Sequence, residues 1–152
     1  MAIRFTLTIA KQAACTFFPC FLAACATTPT PPALNLALTR ASPNKHFIIT
    51  LVPPTGPIRI QQFHEWQIKV ATSGGEPLTN ALVYLNAAMP EHAHGLPTRP
   101  IVTKELVPGT YLVEGVKFSM TGWWEIYVAV QKVPASDVTT FNYVLALPAG
   151  NN

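Results

Sequence analysis

Apolar and polar residues alternate along most of this chain, and a period of two predicts β-strands rather than helices. In the segment QFHEWQIKVAT, residues 62–72, every second residue from His64 to Val70 falls on one face of an extended chain. The residues between them are polar or charged. This strand is therefore predicted to have one buried side and one solvent-facing side.

Other segments have the same strand-like pattern, and turn-forming clusters such as SPNK (residues 42–45) and SGGEP (residues 73–77) separate them. Within residues 110–120 the alternation changes phase at Gly115, which predicts a β-bulge or a break into two strands. The further predicted strands are residues 34–39, 46–52, 81–87, 101–106, 110–120, 123–131 and 138–147.

Seven or eight short strands with turns about every ten residues predict an all-β, immunoglobulin-like antiparallel β-sandwich. Fifteen prolines argue against long helices, because each proline removes a backbone donor. The element PGTYLV, residues 108–113, is also similar to the Gly-x-Tyr element at the corner of many immunoglobulin-like domains. A closed eight-stranded barrel is the competing architecture.

The N-terminal part of the chain has the features of a secretory signal. Arg4 and Lys11 are its only charges, and an apolar stretch with small residues follows them. The end of that stretch, LAAC, resembles the lipobox of bacterial lipoproteins, which implies cleavage before Cys25 and lipid attachment to its sulfur. We therefore expect a signal peptide at 1–24, a lipidated Cys25 with a Thr/Pro-rich tether to residue 33, and a folded domain over 34–149.

This processing defines the expected location and charge of the mature protein. It would be an extracytoplasmic, membrane-anchored lipoprotein, on the periplasmic side in a Gram-negative cell. Of ten basic residues, eight remain after loss of Arg4 and Lys11, against seven acidic ones, so the net charge is close to zero. Such a balance gives no basic patch for nucleic acid. Cys15 and Cys20 also leave with the signal, so no disulfide is expected.

Residues for catalysis are sparse in the predicted domain. Asp137 is its one aspartate, and no nucleophile-elbow, phosphate-binding or dinucleotide-binding motif is present. We therefore expect a protein that is not an enzyme.

The segment MPEHAHGLPTRP, residues 89–100, suggests metal chemistry. Met89, His92 and His94 lie within six residues, and Met120 comes from a distant strand that could fold alongside them. Thioether and imidazole ligands suit copper, particularly Cu(I). In an extended backbone, His-x-His would direct both imidazoles to one side.

A structural interpretation competes with this one. The prolines and Gly95 could simply stiffen a loop whose histidines bond to backbone carbonyls, with Met120 as core filler. His64 is expected to pack beside Trp66 rather than bind metal. Trp123 and Trp124 must face opposite ways on a strand, so one is expected in the core and the other at the surface or shielding a site.

Four segments together resemble the YtkA-like domain, which is grouped loosely with the FixH- and CcoH-type proteins of haem–copper oxidase assembly. These segments are HEW (64–66), MPEHAHGLPTRP (89–100), YLVEGVKFSM (111–120) and GWWEI (122–126). The residues that match the first main motif are Met89, Pro90, His92, His94, Gly95, Pro97 and Thr98. Those that match the second are Phe118, Met120, Gly122 and Trp124. Ala93 departs from the pattern, because it replaces a common glycine.

The resemblance implies an exported, membrane-attached sandwich with a role in metal handling or oxidase assembly. Our first hypothesis is copper binding at Met89, His92 and His94, with Met120 as a further ligand, and a membrane protein or metalloprotein as partner. The second is a metal-free interaction module that uses the Pro-rich loop and an exposed tryptophan.

Overall fold

The computed structural model describes residues 33–146, and within them the chain forms nine β-strands and no helix. The predicted signal peptide, Cys25 and all of the tether but Ala33 lie outside the described residues, as does the predicted end of the domain at 147–149. Among residues 33–146 no helix is long and apolar enough to cross a membrane. The strands are β1 (Thr39–Ala41), β2 (Phe47–Val52), β3 (His64–Thr72), β4 (Leu82–Met89), β5 (His94–Gly95), β6 (Ile101–Val107), β7 (Thr110–Val116), β8 (Gly122–Lys132) and β9 (Ala135–Leu145).

The strands form two antiparallel sheets. One has the order β1-β2-β3-β7-β6 and the other the order β5-β4-β8-β9. The predicted all-β sandwich is therefore confirmed, and the alternative of a closed barrel is wrong. The described residues contain nine strands rather than seven or eight because β1 and β5, with three and two residues, add to the seven longer ones.

The core lies between the two sheets and consists of the alternate residues that the pattern predicted. On β3, Trp66, Ile68 and Val70 are almost completely buried, while Glu65 and Lys69 are exposed. Burial of each large apolar side chain contributes about 1.5–3 kcal/mol. The same alternation on β8 buries Trp124, Ile126, Val128 and Val130.

The first predicted strand was misplaced. Residues 34–39 alternate leucine with other residues, but the strand is Thr39–Ala41, and Leu34 and Leu36 are 37% and 52% exposed. Leu38 alone of these leucines packs against the core, where its carbonyl accepts a hydrogen bond from Leu51 N. Alternation predicts a strand only where a sheet face is available to cover the apolar side, and none covers Leu34 and Leu36.

The change of phase at Gly115 is a β-bulge, as predicted. His64 on β3 is opposite Val116, but Trp66 is opposite Val113, so β7 has one extra residue between the two pairs. Gly115 has a φ of +83°, which a residue with a side chain rarely adopts. The bulge lets residues on both sides of it, Val113 and Val116, face the core.

Candidate metal site

A tight hairpin between β4 and β5 shapes the segment that contains the candidate ligands. The β4 strand ends at Met89, and the amides of His92 and Ala93 donate hydrogen bonds to the Met89 carbonyl at 3.2 and 3.0 Å. The chain then returns as β5, where His94 pairs with Met89. Paired residues direct their side chains to the same face of a sheet, so Met89 and His94 both point toward the inner side.

His94 and Met120 are in direct contact although they are 26 positions apart in the chain. His94 Nε2 lies 3.2 Å from Met120 Sδ. The contact arises because β4 and β8 are neighbours in one sheet, which brings the end of β4 beside the segment leading into β8. The structure therefore places one imidazole and one thioether together at this end of the sandwich.

The separation of these two atoms fits a shared metal ion after a small adjustment. Metal bonds of ~2.0 Å to nitrogen and ~2.3 Å to sulfur place two ligands of a tetrahedral ion ~3.5 Å apart. His94 Nδ1 lies 3.3 Å from the Gly95 carbonyl oxygen. With the proton on Nδ1, the Nε2 lone pair faces the sulfur and a cation between the two atoms would stabilise the arrangement, whereas with the proton on Nε2 the imidazole donates a hydrogen bond to the sulfur.

Met89 borders the same region from the core side. Its side chain is 1% exposed, and its Cε lies 2.9 Å from the position that a Cβ on Gly122 would occupy. Gly122 is only two residues from Met120 in the chain, so both methionines flank the start of β8. The flexible thioether of Met89 could turn toward a metal beside His94.

His92 is exposed, and its ring centroid lies 6.0 Å from that of His94. The backbone between the two histidines is not extended, because Ala93 has a φ of +53° and the segment turns there. The two rings are neighbours nevertheless. Of the four predicted ligands, His94 and Met120 are in contact, Met89 lies on the buried side and His92 on the solvent side.

Aromatic rings form the inner wall of this region. The ring of Trp124 is 5.8 Å from that of His94 at an edge-to-face angle of 70°, and its Nε1 donates to the Met120 carbonyl. Phe118 lies 5.0 Å from Trp124 and 6.1 Å from Trp66. Trp66 and Trp124 are thus core residues that support the site from within, not surface residues.

The remaining predicted residues lie apart from the cluster. His64 is half-buried on β3, where its Nε2 lies 2.8 Å from the Arg59 carbonyl oxygen. Trp123 is half-buried on the outer face of β8, and its Nε1 donates to Asn142 Oδ1 at 3.0 Å. Trp123, and not Trp124, is therefore the tryptophan of this pair that is available to a partner.

The second half of the Pro-rich motif has a structural role that the sequence did not reveal. Thr98 Oγ1 donates a hydrogen bond to the Gly115 carbonyl at 2.7 Å, so the motif is fastened to the β7 bulge. Pro100 is buried next to it, with its Cα 3.7 Å from the position of a Cβ on Gly115. Only the spatial pairing of the loop with the bulge explains why a threonine stands at this position.

Within residues 33–146, no three His, Cys, Asp or Glu side chains are grouped so that they could hold a metal ion. The cluster described above therefore depends on its two thioethers as well as its imidazoles. A donor set of this kind consists of neutral ligands, which suit soft, low-charge ions better than hard ones.

Comparison with known proteins supports a family assignment. No curated protein matches this chain. A solved structure, the ZirS C-terminal domain, is similar at 14% identity and a TM-score of 0.39, over 93% of this chain and 86% of that one, a likeness too weak to support any inference. Residues 44–129, more than half of the chain and including both main motifs, match the family described as YtkA-like. The chain therefore belongs to the YtkA-like family.

Proposed function

We propose that this protein is an exported, lipid-anchored β-sandwich that binds copper through Met89, His92, His94 and Met120 in metal handling or oxidase assembly. The main support is the 3.2 Å contact between His94 Nε2 and Met120 Sδ, two soft donors from separate parts of the chain. Imidazole and thioether ligands favour Cu(I) over the harder ions, which prefer carboxylates.

The environment of the cluster also favours a monovalent ion. Phe118 and Trp124 are fully buried on its inner side. The cost of placing an ion against an apolar wall rises steeply with its charge, and neutral ligands do not offset it. A monovalent ion held by neutral ligands is therefore less costly here than a divalent one.

The two histidines have different roles in this proposal. His94 is half-buried and fixed by its contact with Met120, so it holds the ion. His92 is exposed on the turn and reaches solvent, so it is the ligand that meets the ion first and releases it last. A site with one exposed ligand suits a protein that passes metal to a partner.

A Cu(I) competition titration with a chromogenic chelator tests the site on the processed, lipidated protein purified in detergent. We expect one copper per chain, and at least about a tenfold loss of affinity in Met120→Leu and in His92→Ala/His94→Ala. His64→Ala is the matched control, because it removes a histidine from outside the cluster and should bind as the unmodified protein does. Stoichiometry well below one, or equal affinity in the double variant, would reject the copper site.

The anchor is tested separately by fatty-acid labelling of cells that express the protein. We expect label on the unmodified chain and none on Cys25→Ala. Labelling that persists in the variant would contradict lipidation at Cys25, whatever the outcome for copper.

A further inference from the structure

The outer face of the four-stranded sheet carries large aromatic and aliphatic side chains among uncharged polar ones, and it is nearly free of charge. Strand register directs alternate residues of β4, β8 and β9 to this face, and Glu125 is the one formally charged residue among them. Its carboxylate accepts a hydrogen bond from Tyr127 Oη at 2.6 Å. The large aromatic and aliphatic side chains on this face are Leu82, Tyr84, Trp123, Tyr127, Val138 and Val144, and its uncharged polar ones are Asn86, Gln131, Ser136, Thr140 and Asn142.

Several of these side chains are strongly exposed to solvent. Leu82 is 73% exposed, Val138 53%, Tyr84 51% and Val144 49%. The other sheet is different, since Glu65 and Lys69 of β3, Lys104 of β6 and Glu114 of β7 are on its outer face. The sandwich thus has one charged broad face and one nearly uncharged face that is rich in aromatic and aliphatic side chains.

The chain enters the domain next to the nearly uncharged face. Asn142 Nδ2 donates to the Asn35 carbonyl at 3.1 Å, and Asn142 Oδ1 accepts from Trp123 Nε1. The segment that leads from Cys25 therefore joins the sandwich beside Trp123, since the Asn142 side chain bonds to both Asn35 and Trp123. Seven residues stand between Cys25 and Ala33. At ~3.5 Å per residue, even a fully extended chain keeps the domain within about 30 Å of the anchor point.

We propose that the outer face of the β4-β8-β9 sheet rests on the lipid surface, with Trp123, Tyr84 and Tyr127 at the level of the headgroups. Tryptophan and tyrosine favour this interface because each has an apolar ring and a polar group. The proposal depends on the anchor at Cys25, which keeps the domain at a high local concentration next to the lipid, so that a weak contact is sufficient. The metal cluster, at the end of the sandwich, stays accessible.

Trp123 allows a direct test, because Trp66 and Trp124 are buried in the core at 1% and 0% exposure. The lipidated full chain is reconstituted into phosphatidylethanolamine/phosphatidylglycerol vesicles, with or without brominated acyl chains, and flotation verifies anchoring. Bromine quenches tryptophan only at close range. We expect bromolipid to lower the emission of the unmodified protein and to leave that of Trp123→Phe unchanged.

A tryptophan on the opposite face provides the control. Gln67→Trp in the Trp123→Phe background places the indole on the outer face of the five-stranded sheet, and bromolipid should not quench it. Flotation without quenching of the unmodified protein, or equal quenching in Trp123→Phe, overturns the membrane contact but leaves the anchor in place. Failure to float overturns both. Dimers with Trp123 shielded from bromolipid would assign the face to a second copy and also overturn the proposal.

Discussion

Gly122, at the start of β8, shows how a single residue shapes the candidate site. Its φ is +119°, and a Cβ at this position would lie 2.9 Å from the Met89 methyl. Two constraints therefore meet at one position, the backbone conformation and the space for a thioether. The second constraint is flexible, because Met89 Cε is the end of a mobile side chain and is the atom that would shift.

We expect Gly122→Ala to lower the free energy of unfolding by about 1–3 kcal/mol, because alanine is strained at this φ. Displacement of Met89 should also weaken Cu(I) binding in the competition titration. Urea unfolding gives the first quantity. Gly74→Ala is the control, since its nearest contact would be Thr72 Oγ1 at 3.6 Å, and it should change stability by less than about 0.5 kcal/mol. If Gly122→Ala were as stable as Gly74→Ala, alanine would not be strained at position 122.

Ala93 is the reverse case, a residue with a side chain where glycine is favoured. It has a φ of +53°, and this conformation costs an L-residue roughly 1–2 kcal/mol. We expect Ala93→Gly to stabilise the fold by up to about 1 kcal/mol, since the greater freedom of glycine in the unfolded chain offsets part of the gain.

The measurement is again urea unfolding, with Ala88→Gly on β4 as the control. Glycine within a strand should destabilise by about 0.5–1 kcal/mol. If the two glycine variants lost stability equally, the positive φ at Ala93 would have no energetic cost.

At the scale of elements, alternation predicted most of the long strands because they bury one side, as β3 and β8 do, although β6 has no fully buried residue and β7 is buried on both faces over residues 110–113. It failed for β1 and β5, where three and two residues are too few to show a period. The position of β5 depends on the turn at Ala93, and the letters HAH do not encode a turn.

The candidate ligands could be chosen from residue type alone, but their contacts could not. His94 meets Met120 because β4 lies beside β8, and strand order is a long-range property that a local pattern does not contain. The same limit applies to Thr98, whose partner Gly115 is on another strand.

Tyr111 on β7 fixes the turn that leads into β4. Its hydroxyl donates to the Leu78 carbonyl at 2.6 Å and accepts from the Ala81 amide at 3.0 Å. Burial raises the pKa of this hydroxyl above its ordinary value. The arrangement differs from the tyrosine corner of immunoglobulin-like domains, where the hydroxyl bonds to backbone a few residues upstream, because Leu78 precedes Tyr111 by 33 positions.

We expect Tyr111→Phe to destabilise the domain by about 1–3 kcal/mol, because it leaves two backbone groups without their partner. Thermal and urea unfolding measure the loss. Tyr84→Phe on the exposed face is the control and should stay within about 0.5 kcal/mol of the unmodified protein. Similar values for the two variants would show that water replaces the Tyr111 hydroxyl.

At the scale of the whole molecule, Asp137 links the two sheets. It lies on β9 and accepts hydrogen bonds at 2.6 Å from both Ser42 Oγ and Asn44 Nδ2, in the turn between β1 and β2. His46 Nδ1 is 3.3 Å away. The hydrogen bond from Ser42, with further ones from Asn44 and the nearby His46, lowers the pKa of Asp137 below its ordinary value of 3.8.

This lowered pKa predicts a loss of stability in acid. A carboxyl group with a lower pKa in the folded than in the unfolded state stabilises the fold above its unfolded pKa, and the contribution is lost as pH falls through the folded pKa. We therefore expect the melting temperature to decrease as the pH is lowered below about 4. In Asp137→Asn it should be lower at neutral pH and fall less steeply in acid.

Glu76→Gln, which changes an exposed carboxylate in the turn before β4, is the control and should keep the acid dependence of the unmodified protein. If the melting temperature of Asp137→Asn decreased in acid as steeply as that of the unmodified protein, other carboxylates would be the cause of the lost stability.

The contact between His94 and Met120 has a kinetic consequence. An ion shared by these residues would close a loop of 26 residues and restrain both segments at once. Amide protons of the 90–95 turn would then exchange with deuterated water more slowly when copper is bound, while those around Asp137, at the far end of β9, would keep their rates. Deuterium uptake, followed peptide by peptide, would thus separate loaded from empty molecules without any change of fold.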